Sequence, residues 1–155
     1  WDNPKVREEV FDTGHSAGGY LTSMIGLDKR WLEPYGIDPD TAFVALIPYS
    51  GQVVTHFERR RELGLPDTQP LVDDMAPLSY VRPDCRPMLI LSGDREREML
   101  GRYEENAYFW RMMRVAGHPD VRICEFDGFD HGNMPQAGHF VAVRYIREME
   151  RRMDR

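Results

Sequence analysis

The sequence predicts an α/β fold, in which a mostly parallel sheet is flanked by helices. Two apolar runs, at residues 43–47 and 87–93, are continuous rather than alternating, as is typical of strands buried on both faces of a parallel sheet. Segments with the three-to-four spacing of apolar residues lie between such runs, so strands and helices alternate along the chain. This alternation is the pattern expected of a parallel sheet covered by helices.

The predicted elements follow from local patterns, taken in chain order. After the first strand and a glycine-rich turn, Leu21, Met24 and Ile25 mark one buried face of a helix. The helix after the third strand is predicted to bury the side that carries Leu100 and Trp110. The predicted strands cover residues 6–11, 43–47, 87–93 and 121–126. The predicted helices cover residues 16–27, 53–63, 96–116 and 137–153.

The length of 155 residues suits a single domain over residues 1–155. Residues 52–83 differ in kind from the rest, because they contain a charged helical piece, then Gly64, Pro66 and Pro70, and no second strand. A connection of this length is usually functional or mobile. We therefore predict that residues 52–83 form an excursion above the sheet with the character of a lid or cap.

Composition excludes several classes of function. The net charge of −6 argues against a nucleic acid as partner, which usually requires a basic surface. No apolar run approaches the roughly 20 residues of a membrane span, so no membrane partner is predicted. The two cysteines, Cys85 and Cys124, form no C-x-x-C pair and favour reduced thiols and a cytoplasmic location. The sequence has neither a metal-binding histidine spacing nor a phosphate loop, so it calls for no cofactor or metal.

The most informative stretch is Gly14-His15-Ser16-Ala17-Gly18, which matches the G-x-S-x-G pattern of a nucleophile elbow, the sharp turn between a strand and a helix. A serine at the tip of so tight a turn has a strained backbone, and glycine is expected two residues to either side because a Cβ would collide with neighbouring elements. The strain exposes the serine hydroxyl beside the first turn of the helix, where free N–H groups can stabilise an oxyanion. Ala17 would donate one of these N–H groups.

With the following Gly19, this motif resembles the α/β-hydrolase superfamily, in its carboxylesterase and lipase branch near the hormone-sensitive-lipase-like and kynurenine-formamidase-like esterases. The resemblance implies a nucleophile, an acid and a histidine in that order along the chain. Because chemistry in such sheets sits at the carboxyl ends of the strands, the candidates are Ser16, the acids after Gly93 and His131. Ser16 would be the nucleophile, and His131 would be the base that accepts its proton.

Two carboxylates compete for the role of the acid, which fixes the imidazole tautomer and stabilises the imidazolium. In similar sequences the acid commonly falls three positions after the small residue that ends the strand, which selects Glu96 in this chain. Asp94 comes earlier, and its side chain also suits an Asx-type bond within the loop. We predict Glu96 as the acid, with Asp94 as the alternative.

The resemblance covers only the C-terminal half of the fold, starting just before the elbow. The strands that precede the elbow strand in the superfamily have no counterpart in the sequence, and neither has the His-Gly-Gly loop that supplies further oxyanion donors. A sheet that lacks its neighbouring strand would present an unpaired edge. We therefore expect an N-terminal segment, on a separate chain or lost from this one, to complete the fold. Assembly into a homo-oligomer stays open.

These observations predict a serine hydrolase that cleaves small or medium carboxylic esters through an acyl-enzyme, with a small-molecule ester as its partner. An arylformamidase or another amidase uses the same three residues, and the sequence does not separate them from an esterase. A hydrolase-fold binding protein without activity is a further alternative. Intact Ser16 and His131 argue against it, whereas the absent N-terminal half argues for it.

Overall fold

The computed structural model describes residues 9–155, which form a four-stranded sheet with helices on both faces. All three strand pairs are parallel, and the strand order in the sheet follows the chain, which confirms the predicted fold class. The strands are β1 (Val10–His15), β2 (Phe43–Tyr49), β3 (Met88–Gly93) and β4 (Val121–Phe126). The start of the first predicted strand, at residues 6–8, lies outside the described residues. Its observed part continues beyond residue 11 to the end of β1.

Helices fill the connections between these strands. Within residues 9–155 the α-helices are α1 (Ala17–Leu27), α2 (Pro39–Ala42), α3 (Phe57–Glu62), α4 (Arg102–Val115) and α5 (Met134–Met153). Short 3-10 helices lie at Lys29–Trp31, Glu33–Tyr35 and Pro77–Tyr80. Each crossover between neighbouring strands thus contains helix, as a connection between parallel strands requires.

Alternate residues of β3 face opposite sides of the sheet and join two separate cores. Leu89 and Leu91 pack with residues of α5, whereas Met88 and Ile90 pack with residues of α1 and α4. All four side chains are at most 2% exposed. Burying a side chain of this size contributes about 1.5–3 kcal/mol, so β3 anchors the sheet in both cores.

The carboxyl ends of β1, β2 and β3 are joined by the residues that follow β1 and β2. The Ser16 N–H donates to the carbonyl oxygen of Tyr49 at the end of β2, over 2.9 Å. The Ser50 N–H donates in the same way to the carbonyl oxygen of Leu91 in β3, over 2.7 Å. The two turns therefore leave the sheet at one edge, where ligands bind in open parallel sheets.

Helix α4 begins later than predicted and buries a different face. Gly101 has a left-handed backbone, with φ of 68°, and separates the helix from the turn before it. Leu100, which the sequence predicts to be buried, is 84% exposed. The buried face instead starts with Arg102 and Asn106, because these side chains donate hydrogen bonds to backbone carbonyls of the loop after β2.

Residues 52–83 are attached to the rest of the chain at several points. The Tyr20 hydroxyl of α1 donates to the carbonyl oxygen of Met75 over 2.8 Å. Val53, 1% exposed, belongs to the core between the sheet and α4. The segment is therefore packed onto the sheet and its helices. Its function as a lid or cap stays a prediction, as does the assignment of residues 1–155 to a single domain.

Candidate active site

The turn between β1 and α1 has the strained backbone that the motif predicts. Ser16 has φ of 57° and ψ of −114°. A Cβ on Gly14 would lie 2.5 Å from the carbonyl carbon of Gly18, so the turn can close only with glycine at position 14. At Gly18 a Cβ would meet no atom of the described residues within 4 Å, whereas one on Gly19 would lie 2.7 Å from the carbonyl oxygen of Tyr49. The steric prediction is correct for Gly14 and wrong for Gly18.

The structure brings Ser16 and His131 together, as the sequence predicts, and adds a carboxylate behind the imidazole. The Nε2 atom of His131 lies 2.9 Å from the Oγ atom of Ser16. The Nδ1 atom lies 2.8 Å from the Oε2 atom of Glu98, whose side chain is fully buried. An ionised carboxylate can only accept a hydrogen bond, so Nδ1 carries the imidazole proton. Nε2 is then left to accept from the serine hydroxyl.

The predicted position of the acid is wrong by two residues. Glu98, and not Glu96, contacts His131, while Glu96 is exposed. Asp94 holds the loop instead: its Oδ1 atom accepts from the Glu96 N–H over 2.9 Å and its Oδ2 atom from the Gly128 N–H over 2.7 Å. The Asp94 carbonyl also accepts from the Glu98 N–H over 2.8 Å, and the resulting turn brings position 98 back to the end of β3.

Glu98 is buried as a carboxylate because several donors surround it. Its Oε1 atom accepts from the Gly93 N–H over 3.0 Å and from the Ser50 hydroxyl over 2.5 Å. Its Oε2 atom accepts from His131 and from the Met99 N–H. Burial alone raises the pKa of Glu98, but the hydrogen bonds from His131, Ser50 and Gly93 outweigh it and lower the pKa to about 2. The group is therefore ionised throughout the neutral range.

Ser50 is the site residue to which the sequence analysis assigned no function. It is fully buried, its φ is 46°, and its Oγ atom lies 3.0 Å from the Nδ1 atom of His131. Two buried side chains of α4 hold the turn: Arg102 donates to the Ser50 carbonyl, and Asn106 donates to the Gly51 carbonyl over 2.8 Å. The only signal in the sequence is a Ser-Gly pair directly after a buried strand.

The neighbours of Ser16 in the motif serve the geometry of the site. The Nε2 atom of His15 donates to the carbonyl oxygen of His131 over 2.9 Å, so His15 fixes the loop that carries the base. Burial, together with the nearby His131, lowers the pKa of His15, which favours the neutral ring. Ala17 is the first residue of α1, where an N–H has no carbonyl acceptor within its own helix. This is the position that the oxyanion prediction requires.

Two adjoining cavities lie beside the site, between residues 52–70 and residues 99–105. Their volumes are about 220 Å³ and about 230 Å³. Arg102 lines the larger one and also donates to the carbonyl of Ser50, so this cavity lies next to the loop after β2. Within residues 9–155, no group of three or more His, Cys, Asp or Glu side chains is placed to hold a metal ion. The chemistry that the site offers is nucleophilic attack with proton transfer.

Comparisons with known proteins identify esterases. No family model matches the chain. The chain is 28% identical over 151 residues to "Esterase LipQ" of Mycobacterium tuberculosis, in a match that covers 81% of the chain and 35% of that esterase. The propionate-bound form of esterase 2 from Thermogutta terrifontis superposes with a TM-score of 0.68, at 21% identity, over 90% of the chain and 55% of that protein. Its apo form gives a TM-score of 0.65 at the same identity.

The chain thus spans about a third of the length of the curated relative and about half of the length of the solved esterase. The likeness to the solved esterase establishes the fold. The likeness to "Esterase LipQ" shows that the chain is also similar in sequence to an esterase. Together they confirm the resemblance that the elbow motif indicated. The chain has the α/β-hydrolase fold and is similar to esterases, of which it matches a part.

Proposed function

We propose that this chain carries the catalytic residues of a serine hydrolase that cleaves carboxylic esters. The observation that supports the proposal is the unbroken set of contacts from the Ser16 hydroxyl through both nitrogens of His131 to the buried Glu98 carboxylate, at 2.9 Å and 2.8 Å. Nucleophile and base within hydrogen-bond reach, with the base oriented by a third group, is the arrangement that activates a serine.

In the proposed reaction, the Ser16 Oγ attacks the ester carbonyl carbon while His131 Nε2 accepts the hydroxyl proton. The carbonyl oxygen becomes an oxyanion, and the N–H of Ala17 at the start of α1 stabilises it. The intermediate collapses, the carbon–oxygen bond to the alcohol breaks, and His131 returns the proton to the leaving alkoxide. A water molecule then attacks the acyl-enzyme by the same steps, which releases the acid and restores Ser16.

Glu98 performs two tasks in this scheme. Its Oε2 atom accepts the Nδ1 proton of His131, which holds the tautomer whose Nε2 can accept a proton. When the imidazole becomes charged, the neighbouring carboxylate stabilises the cation. Because its pKa is lowered to about 2, Glu98 stays ionised and does not compete for the proton.

Esters with small or medium acyl groups remain the proposed substrates. The Thermogutta terrifontis esterase has been solved bound to propionate and bound to butyrate, both of them short acids. Hydrolysis of formamides or other amides by the same residues stays an alternative prediction. A binding protein without activity is disfavoured, because it would have no use for a buried carboxylate aligned behind a histidine and a serine.

Labelling with a fluorophosphonate tests the proposal directly. The same Thermogutta terrifontis esterase has been solved phosphorylated by paraoxon, so a phosphorus reagent is a suitable probe of this serine. Mass spectrometry of the wild type and of Ser79→Ala, which removes an exposed serine hydroxyl, should find the label on Ser16. The Ser16→Ala variant should take up none. Labelling of another residue, or none in the wild type, would contradict the proposal.

The substrate class is tested separately, on protein whose Ser16 reacts with the fluorophosphonate. A series of p-nitrophenyl esters of increasing chain length is compared with N-formylkynurenine at equal concentration. The proposal expects the highest kcat/KM for short esters such as the butyrate. A higher kcat/KM for N-formylkynurenine would assign the site to formamide hydrolysis instead.

Completion of the sheet and the location of the protein stay predictions. Within the described residues β1 pairs only with β2, and a strand from an N-terminal segment would pair with its other edge. No helix of residues 9–155 is both long enough and apolar enough to cross a bilayer. A cytoplasmic location is proposed from the two unpaired cysteines, Cys85 and Cys124.

A further inference from the structure

We propose that Ser50 is a positioning residue, whose hydroxyl holds the Glu98 carboxylate in the orientation that aligns His131. The proposal rests on the proposed function, because it assigns Ser50 to the same reaction. It concerns a residue that contacts the acid and the imidazole from behind, not one that contacts the substrate.

The contacts of the Ser50 hydroxyl define its direction. Its Oγ atom lies 2.5 Å from Oε1 of Glu98 and 3.0 Å from Nδ1 of His131. A carboxylate has no proton to give, so the hydroxyl donates to Glu98. The oxygen of the hydroxyl then faces the Nδ1–H, which it shares with Oε2 of Glu98. Ser50 thereby fixes the carboxylate and the ring relative to each other.

The backbone at Ser50 indicates that a side chain is required there. A φ of 46° lies in the left-handed region that glycine adopts freely and other residues only at a cost. Nevertheless a serine occupies the position and a glycine, Gly51, follows it. A position that needed only the turn would be met best by glycine. The strained serine is accounted for if the hydroxyl itself has a task.

The surroundings hold Ser50 in this conformation from three directions. Its N–H donates to the carbonyl of Leu91 in β3 over 2.7 Å. Its own carbonyl accepts from Arg102, which is 3% exposed, and the next carbonyl accepts from Asn106, which is 1% exposed. Burying these polar side chains requires that their hydrogen bonds be made. The turn is therefore a rigid support on which the hydroxyl is presented to Glu98.

Loss of the hydroxyl should loosen Glu98 without removing it. In a Ser50→Ala protein, Oε1 of Glu98 would keep only the Gly93 N–H, and the carboxylate would be held less firmly in the orientation that faces the imidazole. The ring would then lose the partner that selects its tautomer for part of the time. We expect kcat to fall while KM changes little, because no group that contacts the substrate is altered.

The test compares two substitutions that separate the hydroxyl from the backbone. Ser50→Ala removes the hydroxyl and keeps the strained conformation, whereas Ser50→Gly removes both the hydroxyl and the strain. We expect both variants to lower kcat for p-nitrophenyl butyrate by about 10–100-fold, the factor carried by a hydrogen bond to a charged group. Ser23→Ala is the matched control, since Ser23 is equally buried and its hydroxyl has no partner among the described residues.

A second measurement does not depend on activity. The proton on Nδ1 of His131 should give a separate low-field resonance in the proton spectrum of the wild type and of Ser23→Ala. In Ser50→Ala and Ser50→Gly this resonance should broaden or move upfield, because the Nδ1–H loses an ordered acceptor. Ser50→Gly also relieves the strained φ and should be at least as stable as Ser50→Ala. A change of the resonance in Ser50→Gly would therefore not reflect a loss of folding.

The outcomes separate this proposal from the proposed function. If Ser16 takes up the fluorophosphonate but both Ser50 variants keep the wild-type kcat and resonance, Ser50 has no positioning role and the serine hydrolase stands. If Ser50→Gly restores kcat while Ser50→Ala does not, the backbone and not the hydroxyl matters, and the proposal is overturned. If the wild type fails to label, the proposed function fails, and the resonance alone decides whether Ser50 orders His131.

Discussion

Two serines follow neighbouring strands, both with a positive φ, and they make an informative comparison. Ser16 after β1 and Ser50 after β2 are the only non-glycine residues of the described chain with positive φ, at 57° and 46°. Each donates its N–H to a carbonyl of the next strand in the sheet. The Oγ atom of each lies within hydrogen-bond distance of a nitrogen of His131, at 2.9 Å for Ser16 and 3.0 Å for Ser50.

The two serines differ in which side of the imidazole they occupy. Ser16 is partly exposed and lies at Nε2, the nitrogen without a proton, so its hydroxyl can donate and become nucleophilic. Ser50 is fully buried and lies at Nδ1, where the proton already resides, and its own hydroxyl proton is donated to Glu98. Two turns with positive φ at neighbouring strand ends therefore present one serine to react and another to position the acid. The tautomer of His131 decides which serine can donate its hydroxyl proton to the imidazole.

The largest difference should appear when the shared histidine is removed. We expect His131→Ala to lower kcat for p-nitrophenyl butyrate by a factor on the order of 10⁴–10⁶, as when one member of a cooperating catalytic set is lost. His139→Ala is the control, since the His139 ring contacts the Tyr49 hydroxyl and not the site serines. Measured rates that fall equally in both variants would show that folding, and not the base, was lost.

The next largest effect distinguishes the carboxylates. Glu98→Gln keeps the shape of the side chain but cannot impose the same tautomer, so we expect kcat to fall by about 10³–10⁴, as for the corresponding change in a serine protease triad. Glu96→Gln should leave kcat within about twofold, because Glu96 is exposed and does not contact His131. A loss of activity in Glu96→Gln with little change in Glu98→Gln would restore the sequence-based assignment and contradict the geometry.

The comparison also shows why the sequence predicted one serine and not the other. The elbow at Ser16 depends on residues two to three positions away, and the collision of a Cβ at Gly14 with Gly18 is local. The turn at Ser50 depends on side chains of α4, more than fifty residues later. In a Ser-Gly pair the glycine is expected to adopt positive φ. Here Gly51 is needed elsewhere, since a Cβ on it would collide with the backbone of Gly19.

The acid was missed for a similar reason. Counting from the end of β3 assumes that the loop runs directly to the acid, whereas the Asp94 carbonyl and carboxylate wind residues 94–98 into a turn. That turn exposes position 96 and brings Glu98 back to the sheet. The buried face of α4 was mispredicted because Arg102 and Asn106 are polar, and only their hydrogen bonds to distant carbonyls explain their burial. Strands, elbow and base were predictable because their signals are local.

A third prediction concerns the pH dependence of stability. The pKa of Glu98 is lowered from 4.5 to about 2 in the folded protein, so its contribution to the free energy of unfolding is fully present above about pH 4.5. It is lost as the pH falls towards 2, because the unfolded chain then binds a proton that the folded one does not. At about 1.4 kcal/mol per pKa unit, the contribution is about 3 kcal/mol.

Urea unfolding at several pH values measures this contribution. Between pH 6 and pH 3 the wild type should lose about 2 kcal/mol more than Glu98→Gln, since two-thirds of the effect falls in that interval. Glu148, whose pKa is also lowered to about 2 by its hydrogen bond to Arg122, titrates equally in both proteins and cancels. Parallel pH curves for the two proteins would show that Glu98 is not stabilised as a carboxylate, and the Ser50 hydroxyl would lose the charged acceptor assigned to it.

The smallest expected effect tests whether the two turns are joined to each other. Helix α1 at Gly19 and the turn at Gly51 are in backbone contact, and a Cβ on Gly51 would collide with the backbone of Gly19. Backbone cannot move aside as a flexible side chain does, so we expect Gly51→Ala to lower the free energy of unfolding by about 1–3 kcal/mol, the usual cost of overpacking. The fluorophosphonate labelling rate of Ser16 should fall as well, because the two turns would be pushed apart.

Gly18→Ala is the matched variant, one residue from the contact. A Cβ at Gly18 meets no described atom within 4 Å, and alanine in place of glycine within a helix favours stability by up to about 1 kcal/mol. Gly18→Ala should therefore be as stable as the wild type or more so. If Gly51→Ala proved as harmless as Gly18→Ala, the two serine turns would be independent of each other. Their common orientation around His131 would then depend on the strand ends alone.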